Sequence, residues 1–293
     1  MTILIIKTGA AGDVVRTTSL LNFLEGDIYW EISPEYVALL PGHIKIFNRR
    51  DAAFDLVISL EETEACAKLA SSLKTKKLIG IYWKDGRIQY TGDSAPWFDM
   101  SLVSRFGQER ANQLKIENRL PFQHYLFNML GRHFTAEKYI IKEVKEVKEV
   151  KEVKEVEEKR NFIGLEKRAG SVWPNKAWSG YDELADRLTE AGHQVKFFEQ
   201  RENMMLYMKD VAACSQVVSG DTLAMHLALA YNIPCIALFN CTSPHEIYDY
   251  GLLKKVVSPF LNQNFYSRKF DQRVVDSIKV ETVLDTLTLV SSR

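Results

Sequence analysis

Apolar positions fall along this chain in short unbroken runs separated by stretches of helical spacing. Residues 3–7 form the first run, Ile-Leu-Ile-Ile-Lys, and lead straight into a glycine-rich turn. From residue 14 to 24 the apolar positions Val14, Val15, Leu20, Leu21 and Leu24 recur near helical spacing. The opening therefore reads as strand, loop and helix. Further short runs at 28–32, 56–60 and 78–82 read as buried strands, with a helix over 61–73 between them. Strands that alternate with helices and are apolar throughout predict a parallel sheet covered on both faces. Residues 90–123 break the pattern. They are rich in aromatic and charged residues, among them Trp97, Phe98, Asp99, Arg105 and Phe106, and read as helices and loops that could carry an acceptor surface. Residues 125–130 read as part of a closing helix.

The pattern restarts in the second half. Strands are expected at 161–165, 194–198, 216–219 and 235–239. Helices are expected at 181–191, stopped by Gly192, and at 204–214, 222–231 and 280–289. Between the halves, residues 142–156 are five tandem copies of Lys-Glu-Val, followed by Glu157-Glu158-Lys159-Arg160. As a helix, each Lys would meet a Glu four residues on and a like charge three residues on. The valine stripe would drift around such a helix. The segment reads as a solvated, partly helical linker, with an interaction arm or oligomerisation helix as the alternative. The expected organisation is an N-terminal domain over 1–138, a linker over 139–160 and a C-terminal domain over 161–293, whose last helix could return to the N-terminal domain. Two doubly wound α/β domains would face a cleft with the C-terminal ends of their strands.

Composition narrows the function classes. The 293 residues suffice for two ordinary domains. Lys plus Arg and Asp plus Glu are both 38, a balance that argues against bulk nucleic-acid binding. The four cysteines, Cys66, Cys214, Cys235 and Cys241, show no Cys-x-x-Cys spacing and read as small core residues in a reducing compartment. The N-terminus reads as a strand rather than a signal peptide, and no apolar run approaches a membrane span. A cytoplasmic protein is expected, with at most peripheral contact with a membrane's inner face.

Four strand-to-helix junctions carry candidate chemistry. In Thr8-Gly9-Ala10-Ala11-Gly12-Asp13, small residues would let a ligand approach the backbone, while Asp13 also reads as an N-cap for a helix starting at Val14. In Ser219-Gly220-Asp221-Thr222-Leu223-Ala224-Met225-His226, the start of a helix offers an anion site. Thr222 could add its hydroxyl, and His226 would point back toward that site. Capping by Asp221 and Thr222, and a core role for His226, are the structural alternatives. The segment Gly170-Ser171-Val172-Trp173-Pro174-Asn175-Lys176-Ala177-Trp178 offers a lysine that could neutralise a phosphate, or an ordinary surface lysine. In Cys241-Thr242-Ser243-Pro244, Ser243 and Pro244 read as an N-cap and first helical residue.

These segments together resemble a known family. Val218-Ser219-Gly220-Asp221-Thr222, then His226-Leu227-Ala228, Pro234 and Phe239-x-x-Thr242-Ser243-Pro244, is similar to the C-terminal signature of glycosyltransferase family 9, the heptosyltransferase type. Gly170-Ser171-x-Trp173-Pro174-x-Lys176-x-Trp178 resembles the motif that opens the family's second domain. Lys7-Thr8-x-x-x-Gly12-Asp13-Val14-Val15 resembles its N-terminal motif. The resemblance implies a GT-B fold and inverting transfer of a sugar, commonly a heptose, from a nucleotide-diphosphate donor to a glycan or lipid-linked acceptor. It implies no cofactor and no metal. It casts Asp13 as general base, with Gly9 and Gly12 letting the reacting sugar approach. Lys176, Ser171, Gly220, Asp221, Thr222, Leu223 and His226 would form the donor site. Two other readings fit the same architecture: a non-hydrolysing nucleotide-sugar epimerase, and a non-catalytic nucleotide-sugar binding or assembly protein.

Overall fold

The computed structural model describes residues 1–48, 51–101, 106–144 and 162–291, with side chains described through residue 287. The Lys-Glu-Val repeat from residue 145 onward, and Asn161, lie outside the described residues. The chain divides into two compact units. One comprises Met1–Lys142 with His245–Tyr248, the other Glu143–Pro244 with Asp249–Arg293.

The first unit runs β1 (Thr2–Ile6), α1 (Ala11–Thr17), β2 (Asp27–Glu31), β3 (Lys45–Ile46), β4 (Ala53–Ser59), α2 (Glu64–Ser72), β5 (Lys74–Lys84), β6 (Arg87–Tyr90), α3 (Ala95–Phe98), α4 (Gln108–Glu117) and α5 (Phe122–Asn128). Its sheet has the order β3-β2-β1-β4-β5-β6. Pairing is parallel from β3 to β5. Residues 3–6 of β1 are all buried, which explains the unbroken apolar run. Leu4, Ile6, Phe54 and Val57 of β1 and β4 pack against Cys66 and Ala70 of α2. Burying such a side chain contributes roughly 1.5–3 kcal/mol. An exposed pair like Lys68–Glu64 is worth less than about 1 kcal/mol, so burial sets where α2 lies.

Three expectations for this unit change. The first helix starts at Ala11, not Val14, and its N-cap is Ala10. Asp13 is therefore inside the first turn and caps nothing. The α-helix also ends at Thr17 and tightens into a 3-10 turn over Thr18–Asn22. The hydroxyls of Thr17, Thr18 and Ser19 each bond a carbonyl three or four residues back, competing with the helical ladder there. Finally, the sheet is not wholly parallel, because β6 returns antiparallel to β5 through Asp85-Gly86. Both turn residues have positive φ, 52° and 73°, as a two-residue hairpin of this type requires.

The second unit runs β7 (Phe162–Glu166), α6 (Tyr181–Glu190), β8 (Gln194–Phe197), α7 (Met204–Ala212), β9 (Cys214–Gly220), α8 (Leu223–Ala230), β10 (Cys235–Phe239), β11 (Leu253–Val257), α9 (Gln272–Val275) and α10 (Val280–Ser291). The sheet order is β11-β10-β9-β7-β8, all parallel. Val280, Val283 and Leu287 of α10 join Leu165, Leu184, Val218 and Ile236 in this unit's own core. Each unit is thus a doubly wound α/β sheet, the Rossmann-like building block of the GT-B fold.

Both sheets reverse direction once. In the first unit the chain moves outward from β1 to β3, then resumes on the other side of β1 as β4. In the second it moves from β7 to β8, then resumes on the other side of β7 as β9. Doubly wound sheets bind ligands at such a switch point, outside the carboxyl ends of the strands. The register places Ile6, just before Lys7, beside Ser59 in one unit, and Glu166 at the end of β7 beside Ser219 of β9 in the other.

Gly80 tests the sheet directly. It is the last β5 residue paired with β4, opposite Ser59, and the next residue, Ile81, pairs with β6. Its φ is +107°, and an added Cβ would stand 1.9 Å from the Ser59 carbonyl oxygen. Gly80→Ala is expected to lower stability in urea denaturation by more than about 1 kcal/mol. Gly42→Ala, where nothing lies within 4 Å, is expected to change it by less than about 0.5 kcal/mol.

Candidate functional site

At the first unit's switch point, the loop after β1 and the residues after β4 hold one another. A single carboxylate oxygen, Glu61 Oε2, accepts from Lys7 Nζ at 3.0 Å and from the backbone N–H groups of Thr8 and Gly9, each at 3.1 Å. The Lys7 carbonyl accepts from the indole N–H of the fully buried Trp30 at 3.0 Å. Lys7 itself is buried, and its ammonium also stands 3.8 Å from Asp13 Oδ2. The other Asp13 oxygen accepts from Arg16, one turn on. The Arg16 guanidinium lies 4.3 Å from the centre of the Phe122 ring. Asp13 is thus held between two anchored cations with its carboxylate a third exposed. Gly9 and Gly12 sit in the partly exposed loop and first turn beside it.

The neighbouring Glu62 is a different kind of carboxyl. Its Oε1 accepts from Ser101 Oγ at 2.6 Å and from the Tyr90 hydroxyl at 2.9 Å. Burial raises its pKa above the ordinary carboxylate range, against the opposing pull of those two hydrogen bonds. Burial and the nearby carboxyl push the Tyr90 phenol up as well.

At the second unit's switch point, Lys176 meets Asp221. Lys176 closes a 3-10 turn over Pro174–Lys176. Its ammonium donates to the Asp221 carbonyl at 2.6 Å and to Asp221 Oδ2 at 2.9 Å. Both side chains are largely buried, so Lys176 is no ordinary surface lysine. His226, on the next turn of α8, brings Nε2 to 3.9 Å from Asp221 Oδ1. The motif's frame is fixed on all sides. Trp178 donates to the Ile278 carbonyl, Asn240 donates to the Ala177 carbonyl, and buried Asn175 bonds residues 269 and 271. Gly220 ends β9 against this turn, where an added Cβ would lie 3.1 Å from the Lys176 carbonyl oxygen.

Thr222 does not cap α8 with its side chain. Thr222 occupies the N-cap position without a side-chain cap bond, its hydroxyl instead sharing a hydrogen bond with Ser219 Oγ at 2.7 Å. The first-turn N–H groups of α8 therefore receive no cap from the Thr222 side chain. Leu223 is the half-buried first residue of the helix, and Ser171 is exposed on the turn five residues before Lys176. Thr242, after β10, is buried with no hydrogen-bond partner for its hydroxyl among the described residues.

Sequence reasoning did not find Glu61, Glu62 or Glu166. Glu166 ends β7, is buried, and gathers the backbone N–H and guanidinium of Arg168 and the Tyr207 hydroxyl. It thereby folds Lys167-Arg168 back over the strand end and sets the path toward Lys176. All four cysteines are buried, and none forms a disulfide. Burial pushes the Cys241 thiol up to about 11, with Lys176 and Asp221 close enough to act on it. Among the described residues, no three His, Cys, Asp or Glu side chains converge as a metal site. No described helix is long and apolar enough to cross a membrane.

The comparisons with known proteins fall on this second unit and on the fold. Residues 203–273 match the model of glycosyltransferase family 9 (heptosyltransferase), a stretch that contains Asp221, Thr222 and His226. No curated protein matches the chain by sequence. Among solved structures, a family 9 glycosyl transferase from Veillonella parvula is 16% identical with a TM-score of 0.62, covering 100% of this chain and 97% of that one. The Escherichia coli ADP-heptose lps heptosyltransferase II is 15% identical, with a TM-score of 0.62 and coverage of 99% and 98%. The E. coli heptosyltransferase WaaC, solved with ADP-2-deoxy-2-fluoro heptose, is 14% identical, with a TM-score of 0.56 and coverage of 98% and 99%. The family 9 resemblance read from the motifs and the GT-B fold class are borne out. The family match supports glycosyltransferase activity, and the solved structures show the shared fold.

Glu62 gives a pH test of the first site. A carboxyl whose pKa is raised in the folded state binds its proton more tightly there than in the unfolded chain. Its stabilising effect is complete below the unfolded value of about 4.3 and is lost as pH rises through the raised value. Glu62→Gln keeps an acceptor for Tyr90 and Ser101 without that loss. The difference in melting temperature, variant minus wild type, is expected to grow from about pH 4 to neutrality.

Proposed function

We propose that this protein is an inverting, metal-independent glycosyltransferase that moves a heptose or similar sugar from a nucleotide-diphosphate donor to a glycan or glycolipid acceptor in cell-surface polysaccharide synthesis. The observation that carries the reading is the Lys176–Asp221 pair at the start of α8. A lysine ammonium has three donors. Asp221 takes two of them among the described residues, which leaves the third for a phosphate oxygen. The first turn of α8, without a side-chain cap from Thr222, adds backbone N–H groups and the positive end of the helix. These groups would bind the diphosphate and stabilise the charge that builds on it as it leaves. Asp13, in the first unit, would take the proton from the acceptor hydroxyl as that oxygen bonds to the anomeric carbon and the bond to the diphosphate breaks. Arg16 and Lys7 fix its carboxylate in place. The solved relatives named with ADP-heptose favour an adenine nucleotide and a heptose. An acceptor in a glycolipid would bring the protein to the inner face of the cytoplasmic membrane as a peripheral visitor.

Nucleotide binding comes first in testing this. Of ADP, GDP, UDP and CDP, ADP is expected to raise the melting temperature most, since a ligand bound only by the folded state stabilises it. Lys176→Ala is expected to diminish that rise and to lower kcat/KM about 100- to 1,000-fold, the usual cost of losing one donor to a developing negative charge. Asp13→Asn is expected to keep the fold and the ADP response while turnover disappears. Normal turnover by that variant would remove Asp13 from the chemistry. Release of an altered nucleotide sugar from donor alone would point to an epimerase instead.

A further inference from the structure

Three donors converge on one oxygen at the end of β1. Lys7 Nζ and the N–H groups of Thr8 and Gly9 all point to Glu61 Oε2, at 3.0 to 3.1 Å. An ionised carboxylate can accept on both oxygens, yet Glu61 Oε1 accepts none among the described residues. The arrangement is thus dictated by the donors. Two backbone N–H groups and a buried ammonium, focused on a single point, are the chemistry that binds a phosphate or carboxylate oxygen.

Two further facts bear on this. The donors stand at the switch point between β1 and β4, where doubly wound sheets place their ligands. The Lys7 side chain is only 10% exposed, so its charge is poorly hydrated and requires an anion beside it. Glu61 supplies the nearer anion, at 3.0 Å against 3.8 Å for Asp13 Oδ2, from across the switch point and more than fifty residues along the chain. The loop above remains partly open, with Gly9, Ala11 and Gly12 half-buried and Ala10 exposed.

We infer that Lys7, Thr8 and Gly9 form an oxyanion-binding site that the chain's own Glu61 holds closed. An external anion enters it only when Glu61 is taken away. One consequence rests on the transferase reading above: the acceptor meets Asp13 through an uncharged hydroxyl-bearing group, because a phosphate or carboxylate at that place would have to displace Glu61.

The test uses the full chain labelled with 15N and titrated with inorganic phosphate at constant ionic strength. The amide resonances of Thr8 and Gly9 are followed. In wild type these two signals are expected to stay in place. In Glu61→Ala and Glu61→Gln they are expected to shift saturably, and Lys7→Met added to either variant is expected to abolish the response. Saturable shifts at Thr8 and Gly9 in wild type would overturn the inference. So would the absence of shifts in the folded Glu61 variants, or loss of the fold in both, since a plug is dispensable to the structure it closes. The readout involves neither donor nor turnover, so it can fail while the transferase reading stands, and the reverse.

Discussion

A parallel sheet that grows outward in one direction and then resumes on the other side of its first strand cannot cover the carboxyl ends of the two strands at the reversal. The connections leave in opposite directions and open a crevice between them. In this chain that constraint operates twice, between β1 and β4 and between β7 and β9. Most of the polar residues that matter here lie at one of these two places. The cores beneath are ordinary apolar packing and serve to hold the strand ends in register.

The two crevices share a device. Each contains a lysine with little exposure, Lys7 or Lys176, held by a carboxylate that arrives from the neighbouring strand's connection, Glu61 or Asp221. They differ in what the carboxylate leaves over. Asp221 binds Lys176 through both its carboxylate and its main-chain carbonyl, just before an N-cap residue whose side chain makes no cap bond. Glu61 absorbs the ammonium and two main-chain N–H groups together.

Much of this was legible from the chain itself, for identifiable reasons. Strands buried on both faces leave unbroken apolar runs, so β1, β4 and β10 lie within a few residues of where the pattern puts them. Strand β11 escaped because Lys254 and Lys255 interrupt its run. Strand β6 escaped because Arg-Ile-Gln-Tyr is half exposed, although Asp85-Gly86 is a strong hairpin signal. The first helix starts three residues before the position its sequence suggests, because Ala10-Ala11-Gly12 carries no capping side chain and Asp13 is the first polar residue to mark a boundary. Lys176 and Asp221 each stand out at a strand-to-helix junction, but their pairing does not, since 45 residues separate them. Glu61 was invisible because its partners lie 52 to 54 residues away and nothing local marks a glutamate as an anchor.

The cysteines carry a consequence for how the molecule behaves in air and in the test tube. All four thiols are buried, and for Cys66, Cys235 and Cys241 burial also raises the pKa, which depletes the thiolate that oxidants and alkylating reagents attack. With reactivity so suppressed in the folded state, modification must await local or global opening. The thiols therefore amount to a built-in clock. Cys66 keeps time for the first unit, and Cys214, Cys235 and Cys241 for the second, so the rate at which each is alkylated reports how often its surroundings breathe.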